Sequence, residues 1–231
     1  MHSKLVIFPK TFAVLMRMRS KTNYEKMLYL QKICRKETIF DLGANIGYYT
    51  TLFSQLTGKG GKVHAFEPLQ ENFRKLQSNT SRSCTNVVLN QTGIDIAKST
   101  KTIFFDTNDL EKASIKQQRC ANVHSREIDV TTLDNYISDN RIPQVDFIKC
   151  DIEGHEMHAL MGMPNTLRKF HPKLSIEVTL PHDERKELTD FLQSFGYNNF
   201  QLIEKGYPRL NLAQLEKEEY FYLYASRTKN S

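Results

Sequence analysis

The chain has 231 residues, 39% of them hydrophobic, which is enough to bury one sizeable core and too little for two ordinary domains. Its four cysteines, Cys34, Cys84, Cys120 and Cys150, contain no CxxC pair, which argues against a zinc ribbon or a disulfide framework; no apolar run reaches the roughly 20 residues that span a bilayer. The net charge of +6 is lopsided, because residues 1–37 hold nine Lys/Arg against two Glu while the rest holds 23 basic against 24 acidic residues, and a near-neutral body argues against a nucleic-acid enzyme with a basic catalytic face.

Residues 1–37 read as a basic helical arm whose apolar contacts run through Tyr24, Met27, Leu28, Leu30 and Cys34. Its charge is either simply solvated or attracts a partner or a membrane surface. Residues 38–231 read as a single domain. Apolar runs near 38–42, 62–67, 86–91, 145–150, 173–178, 199–204 and 219–225 alternate with helical patterns near 47–57, 69–79, 155–170 and 183–195, the rhythm of a doubly wound, mostly parallel sheet. Residues 101–130 break it with two extended stretches, 102–105 and 123–130, which predict an inserted hairpin or flap. Gly196-Tyr197 closes the last helix, and the final two runs predict an antiparallel pair.

The first chemical signal follows the opening strand, where residues 41–47 read Asp-Leu-Gly-Ala-Asn-Ile-Gly and are answered at the end of the next apolar run by Phe66-Glu67-Pro68. A glycine turn between strand and helix lets backbone approach a ligand closely, and an acid about 20 positions on can accept both ribose hydroxyls. A dinucleotide pyrophosphate wants bare N–H groups at the helix N-terminus. Here Asp41 stands two residues before Gly43, and Asn45 replaces the middle glycine. An anion at that point repels phosphate and attracts an ammonium or sulfonium. S-adenosyl-L-methionine carries both, so it fits better than NAD.

The second signal is the run from Val145 to Glu156, Val-Asp-Phe-Ile-Lys-Cys-Asp-Ile-Glu-Gly-His-Glu. If strands 38–42 and 145–150 flank the point where strand order reverses, Asp151 and Glu153 face the glycine loop across one crevice. Alternatively these acids only cap or charge the helix starting near Gly154. His155 and His158 lie one helical turn apart, and Glu177 ends the 173–178 strand at the same edge; any divalent ion would be sought at Asp151, Glu153 and Glu177, with the histidines as further ligands, although none is expected.

Together these residues resemble the FkbM-type S-adenosylmethionine-dependent methyltransferases. The resemblance covers roughly 38–180 and rests on three ordered blocks: 41–47, Phe66-Glu67-Pro68 with Asn72 and Leu76, and 146–156, with Thr132-Leu133-Asp134 ahead of the third. It implies the seven-stranded class I methyltransferase fold, an α/β Rossmann-like sheet with helices on both faces. It also implies cofactor contacts from Asp41, Gly43, Ala44, Asn45 and Gly47 and from Glu67, Pro68 and Asn72. The implied activity is O-methylation, often of sugars or secondary metabolites. Asn90-Gln91-Thr92-Gly93 departs from the small apolar residues common there in the family.

Methyl transfer to a hydroxyl calls for alignment and for a base near the oxygen, worth typically 10²–10⁴-fold. Asp151 is the first candidate and His155 the second, with Glu153 beside them. An RNA methyltransferase using the basic arm and a nicotinamide oxidoreductase are the alternatives. The lead segment lacks a signal peptide's apolar core and cleavage site, so a cytoplasmic location is expected.

Overall fold

The computed structural model describes residues 23–81, 84–106, 109–115, 123–179, 182–203 and 221–228. The predicted arm contributes helix α1, Asn23–Lys32; residues 1–22 lie outside the described part. There follow β1 (Thr38–Leu42), α2 (Tyr48–Thr57), β2 (Lys62–Phe66), α3 (Gln70–Thr80) and β3 (Val87–Asn90). A second group comprises β4 (Gly93–Ile94), β5 (Ser99–Asp106), β6 (Asp109–Ser114) and β7 (Val123–Thr131). The chain continues with α4 (Leu133–Asp139), β8 (Phe147–Cys150), α5 (Glu156–Met161), α6 (Pro164–Phe170), β9 (Lys173–Val178), α7 (His182–Ser194), β10 (Asn199–Leu202) and β11 (Phe221–Ser226).

Seven strands form one sheet in the order β10-β11-β9-β8-β1-β2-β3, parallel from β9 to β3 and antiparallel where β11 meets β9 and β10. This is the class I methyltransferase arrangement. Its central strands read as continuous apolar runs because both faces are covered. Ile39, Val63 and Phe147 pack toward Leu28 and Tyr29 of α1 and Leu52 and Phe53 of α2, whereas Phe40, Leu42, Ile148 and Cys150 face α4, α5, α6 and α7. Strand alternation therefore puts Asp41 and Lys149, each two residues on from Ile39 and Phe147, on the α1 side of the sheet, where they are register partners. The strand order reverses between β1 and β8, which creates the crevice.

Three sequence expectations change. Leu28 and Leu30 are buried, but Tyr24, Met27 and Cys34 are exposed; α1 and the residue after it instead bury Tyr29, Ile33 and the charged Glu25. The inserted flap is more than a hairpin. It is a four-stranded sheet, β4-β7-β5-β6, tied to the body by Leu69 packing with Ile103, Phe105, Ile128 and Val130. The helix expected over 155–170 is two helices, because the backbone leaves helical geometry at Gly162, at φ −83 and ψ 4, and Pro164 starts a new helix at a position needing no N–H. Helix α4 was not foreseen; the Thr132 hydroxyl caps it by accepting from Asn135 N.

Candidate active site

A cleft of about 400 Å³ opens beyond the carboxyl ends of β1, β2 and β8. Its first wall is the glycine loop. Gly43 has φ +78, and a Cβ there would stand 1.8 Å from the Asp151 carbonyl oxygen, so only glycine lets the two strand ends meet. The Gly43 and Ala44 amides donate to the Phe66 carbonyl, which ties the loop to the end of β2. Gly47 does not line the cleft; at φ +91 it starts α2, and a side chain there would strike Leu76 of α3.

Glu67 emerges from β2 with one carboxylate oxygen accepting Asn45 N at 2.9 Å and the other accepting Leu69 N at 3.0 Å. Burial nevertheless pushes its pKa up to about 7, against those hydrogen bonds and one with Asn72. Pro68 and Asn72 line the same wall. Asp41 is wholly buried: Oδ2 accepts the Thr50 hydroxyl at 2.6 Å, while Oδ1, like Asn45 Oδ1, has no hydrogen-bond partner among the described residues. Burial raises the Asp41 pKa despite the Lys149 charge nearby.

The opposite wall carries the acids of the second motif. Carboxylate oxygens of Asp151, Glu153 and Glu177 lie within 4.8 Å of one another, and both histidines are outside that group. Acidic clusters form readily without an ion, and we assign none to it. Asp151 Oδ2 receives Lys149 Nζ at 2.6 Å and Tyr222 Oη at 3.4 Å. Burial works against the Lys149 charge, but Asp151, Asp41 and Glu25 outweigh it and hold the ammonium well above its usual pKa. Glu153 sits at φ 56 in the turn after β8, its carbonyl accepting the Ser114 hydroxyl from the second sheet at 2.7 Å. Glu156 does not face acceptor chemistry; it accepts Ile152 N and Gly154 N, holding that turn, and burial raises its pKa to about 7. Asp151 and Glu153 both line the cleft, and the N-cap position of α5 belongs to His155, with no side-chain cap hydrogen bond.

Sequence reasoning missed the cleft floor. Glu25 reaches it from α1, accepting the Tyr29 and Tyr49 hydroxyls at 2.5 Å each, and Lys149 lies beneath Asp151 with its ammonium 5.2 Å from the centre of the Tyr49 ring. Lys149 was visible as a lone charge in an apolar strand. Glu25 carried no signal, because its burial depends on where α1 docks.

Comparison with known proteins agrees with this fold. Residues 41–198 match the methyltransferase FkbM domain family. The hexuronic acid methyltransferase AglP of Haloferax volcanii is 27% identical over 144 residues, spanning 62% of this chain and 57% of AglP. A crystal structure of a methyltransferase FkbM from Methylobacillus flagellatus superposes with TM-score 0.55 at 19% identity over 95% of this chain and 58% of the other. Fibrillarin of Aeropyrum pernix, crystallised with natively bound S-adenosyl-L-methionine, superposes with TM-score 0.50 at 12% identity over 87% of this chain and 74% of its own. The chain thus spans less than two thirds of AglP and of the Methylobacillus protein. No helix of the described residues is long and apolar enough to cross a membrane. With the family match covering most of the chain and the three motif blocks meeting around one cleft, the chain belongs to the FkbM family of S-adenosylmethionine-dependent methyltransferases.

Proposed function

We propose that this protein transfers a methyl group from S-adenosylmethionine to a hydroxyl of a sugar or glycan. The observation that supports this reading is one cleft lined both by Glu67 and the glycine loop and by Asp151, Glu153 and His155; we read the first set as the nucleoside end and the second as the acceptor end. The residues fit the methyl donor. Asp41 Oδ1 and Asn45 Oδ1 are buried acceptors without donors among the described residues, suited to the methionine ammonium, and Glu67 suits the ribose hydroxyls. Gly43 and Ala44 supply close backbone, and Pro68 and Asn72 shape the nucleoside wall. Bound there, S-adenosylmethionine supplies an electrophilic methyl group; the protein's part is to align the acceptor oxygen with it and exclude water.

The sugar class is supported by AglP, whose acceptor is a hexuronic acid. A uronic acid offers hydroxyls and a carboxylate, and the charge of this cleft favours the hydroxyl: a second carboxylate would meet three clustered acids, while Lys149 is already engaged by Asp151. An RNA acceptor is less well supported, because the basic excess is confined to residues 1–37. Transfer of radiolabelled methyl to a panel of neutral sugars, uronic acids and RNA, with binding of S-adenosylmethionine and NAD compared by calorimetry, tests the proposal. Labelled neutral sugar or uronic acid hydroxyls are expected. Labelled RNA, or NAD binding without S-adenosylmethionine binding, overturns it.

A further inference from the structure

We infer that His155 is the group that accepts the hydroxyl proton, and that Asp95 behind it is the positioning residue that sets its tautomer. The inference rests on the hydroxyl methylation proposed above and names the machinery of that site. Asp95 follows β4 and is wholly buried, yet it is not part of the cleft lining; His155 is, so the order is carboxylate, imidazole, cleft. Asp95 Oδ1 lies 2.9 Å from His155 Nε2 and also accepts Ile96 N at 2.7 Å, while Oδ2 pairs with Lys101 Nζ at 3.2 Å.

Burial opposes an ionised Asp95, but the Ile96 N–H, His155 and Lys101 outweigh it and keep the carboxyl below its ordinary pKa. An ionised carboxylate can only accept, so Nε2 must carry the hydrogen and Nδ1 keeps its lone pair. The groups facing this imidazole are Asp95 and Lys101 from the second sheet and His158 from its own helix, whose ring stacks on it with centroids 4.3 Å apart and planes 5° apart. Burial lowers the His155 pKa despite Asp95. The ring is therefore fixed in plane and tautomer before an acceptor arrives.

Asp151, the expectation from sequence, is less suited. Its Oδ2 is held by Lys149 at 2.6 Å, and a proton placed on this carboxylate would strip a buried ammonium of its closest counterion. In the proposed step, the acceptor oxygen's lone pair forms the new C–O bond as the S–CH₃ electron pair passes to sulfur. The hydroxyl proton moves to Nδ1 of His155, and the imidazolium is stabilised by Asp95 until the proton leaves to solvent.

The test combines ¹⁵N spectra of the imidazoles, calorimetry with S-adenosylmethionine, and turnover on the sugar that the panel identifies. The parent protein should show the Nε2–H tautomer for His155. His155→Gln should bind S-adenosylmethionine within twofold of the parent and lose about 10²–10⁴-fold in kcat. Asp95→Asn should mix the two tautomers and lower kcat at least about tenfold with the acceptor KM little changed. An Nδ1–H tautomer in the parent overturns the proposal even if Asp95→Asn fails to fold, and so does His155→Gln with kcat within threefold of the parent. A parent that binds S-adenosylmethionine but methylates no sugar instead removes the function on which the proposal rests.

Discussion

Glu67 offers a quantitative test of the nucleoside end, because its carboxylate is buried, bonded to two backbone N–H groups and raised to a pKa of about 7. Ribose hydroxyls donate to the ionised form, so S-adenosylmethionine should bind that form preferentially and pull its proton off. With binding confined to the ionised state, the apparent Kd scales as 1 + 10^(7−pH), which makes it about tenfold larger at pH 6 than at pH 8. Asp41, also raised by burial, works in the same direction toward the ammonium, so a variant is needed to isolate Glu67. Glu67→Gln keeps the size, removes the charge and turns an NH₂ toward one of the two backbone donors. Losing a charged hydrogen bond costs about 1.5–3 kcal/mol, so the Kd at pH 8 should rise about 10- to 150-fold. The steep dependence between pH 6 and 8 should flatten in parallel. Isothermal titration calorimetry in buffers of different ionisation enthalpy measures both the Kd and the proton released. A folded Glu67→Gln protein with the parent's Kd and the parent's pH slope would refute the assignment of this carboxylate to the ribose.

Gly43→Ala forces a Cβ to 1.8 Å from the Asp151 carbonyl at a positive φ; a cost of about 2–4 kcal/mol should lower the Tm by roughly 5–15 °C in a thermal melt. Lys149→Met leaves Asp41, Asp151 and Glu25 without their shared cation and should cost about 3–5 kcal/mol at pH 8. Part of that loss should return at pH 5, because burial already raises the Asp41 and Glu25 carboxyls toward protonation, and denaturant melts at the two pH values measure it. Methyl transfer should survive EDTA; activity lost to the chelator and restored by Mg²⁺ or Mn²⁺ would give Asp151, Glu153 and Glu177 a metal-binding role. Deleting residues 1–20 should leave S-adenosylmethionine binding near normal and raise the acceptor KM, with the parent's KM rising with salt; an unaltered KM and salt response would make the arm a solvated lead-in.

By itself the sequence determined the alternation of strands and helices, the glycine loop, Glu67 and the Asp151 motif. These are legible because each is local: a fully covered parallel strand needs an unbroken apolar run, and a turn at φ +78 against a neighbouring strand end needs glycine. Tertiary structure decided what depends on distant segments meeting. That residue 162 is glycine reflects its close approach to the Asp95 carbonyl, 67 residues away in sequence, a contact that no helical periodicity encodes. Glu25 reads as one more polar residue of a solvated helix until α1 docks and places it beneath Lys149 and Tyr49. Asp95 and His155 are 60 residues apart and meet because β4 pairs with β7 and brings its end against α5. A side chain's type sets which charges and hydrogen bonds it can offer. Its working pKa and its partner are properties of the surroundings, and those exist only once the two sheets and their helices have packed.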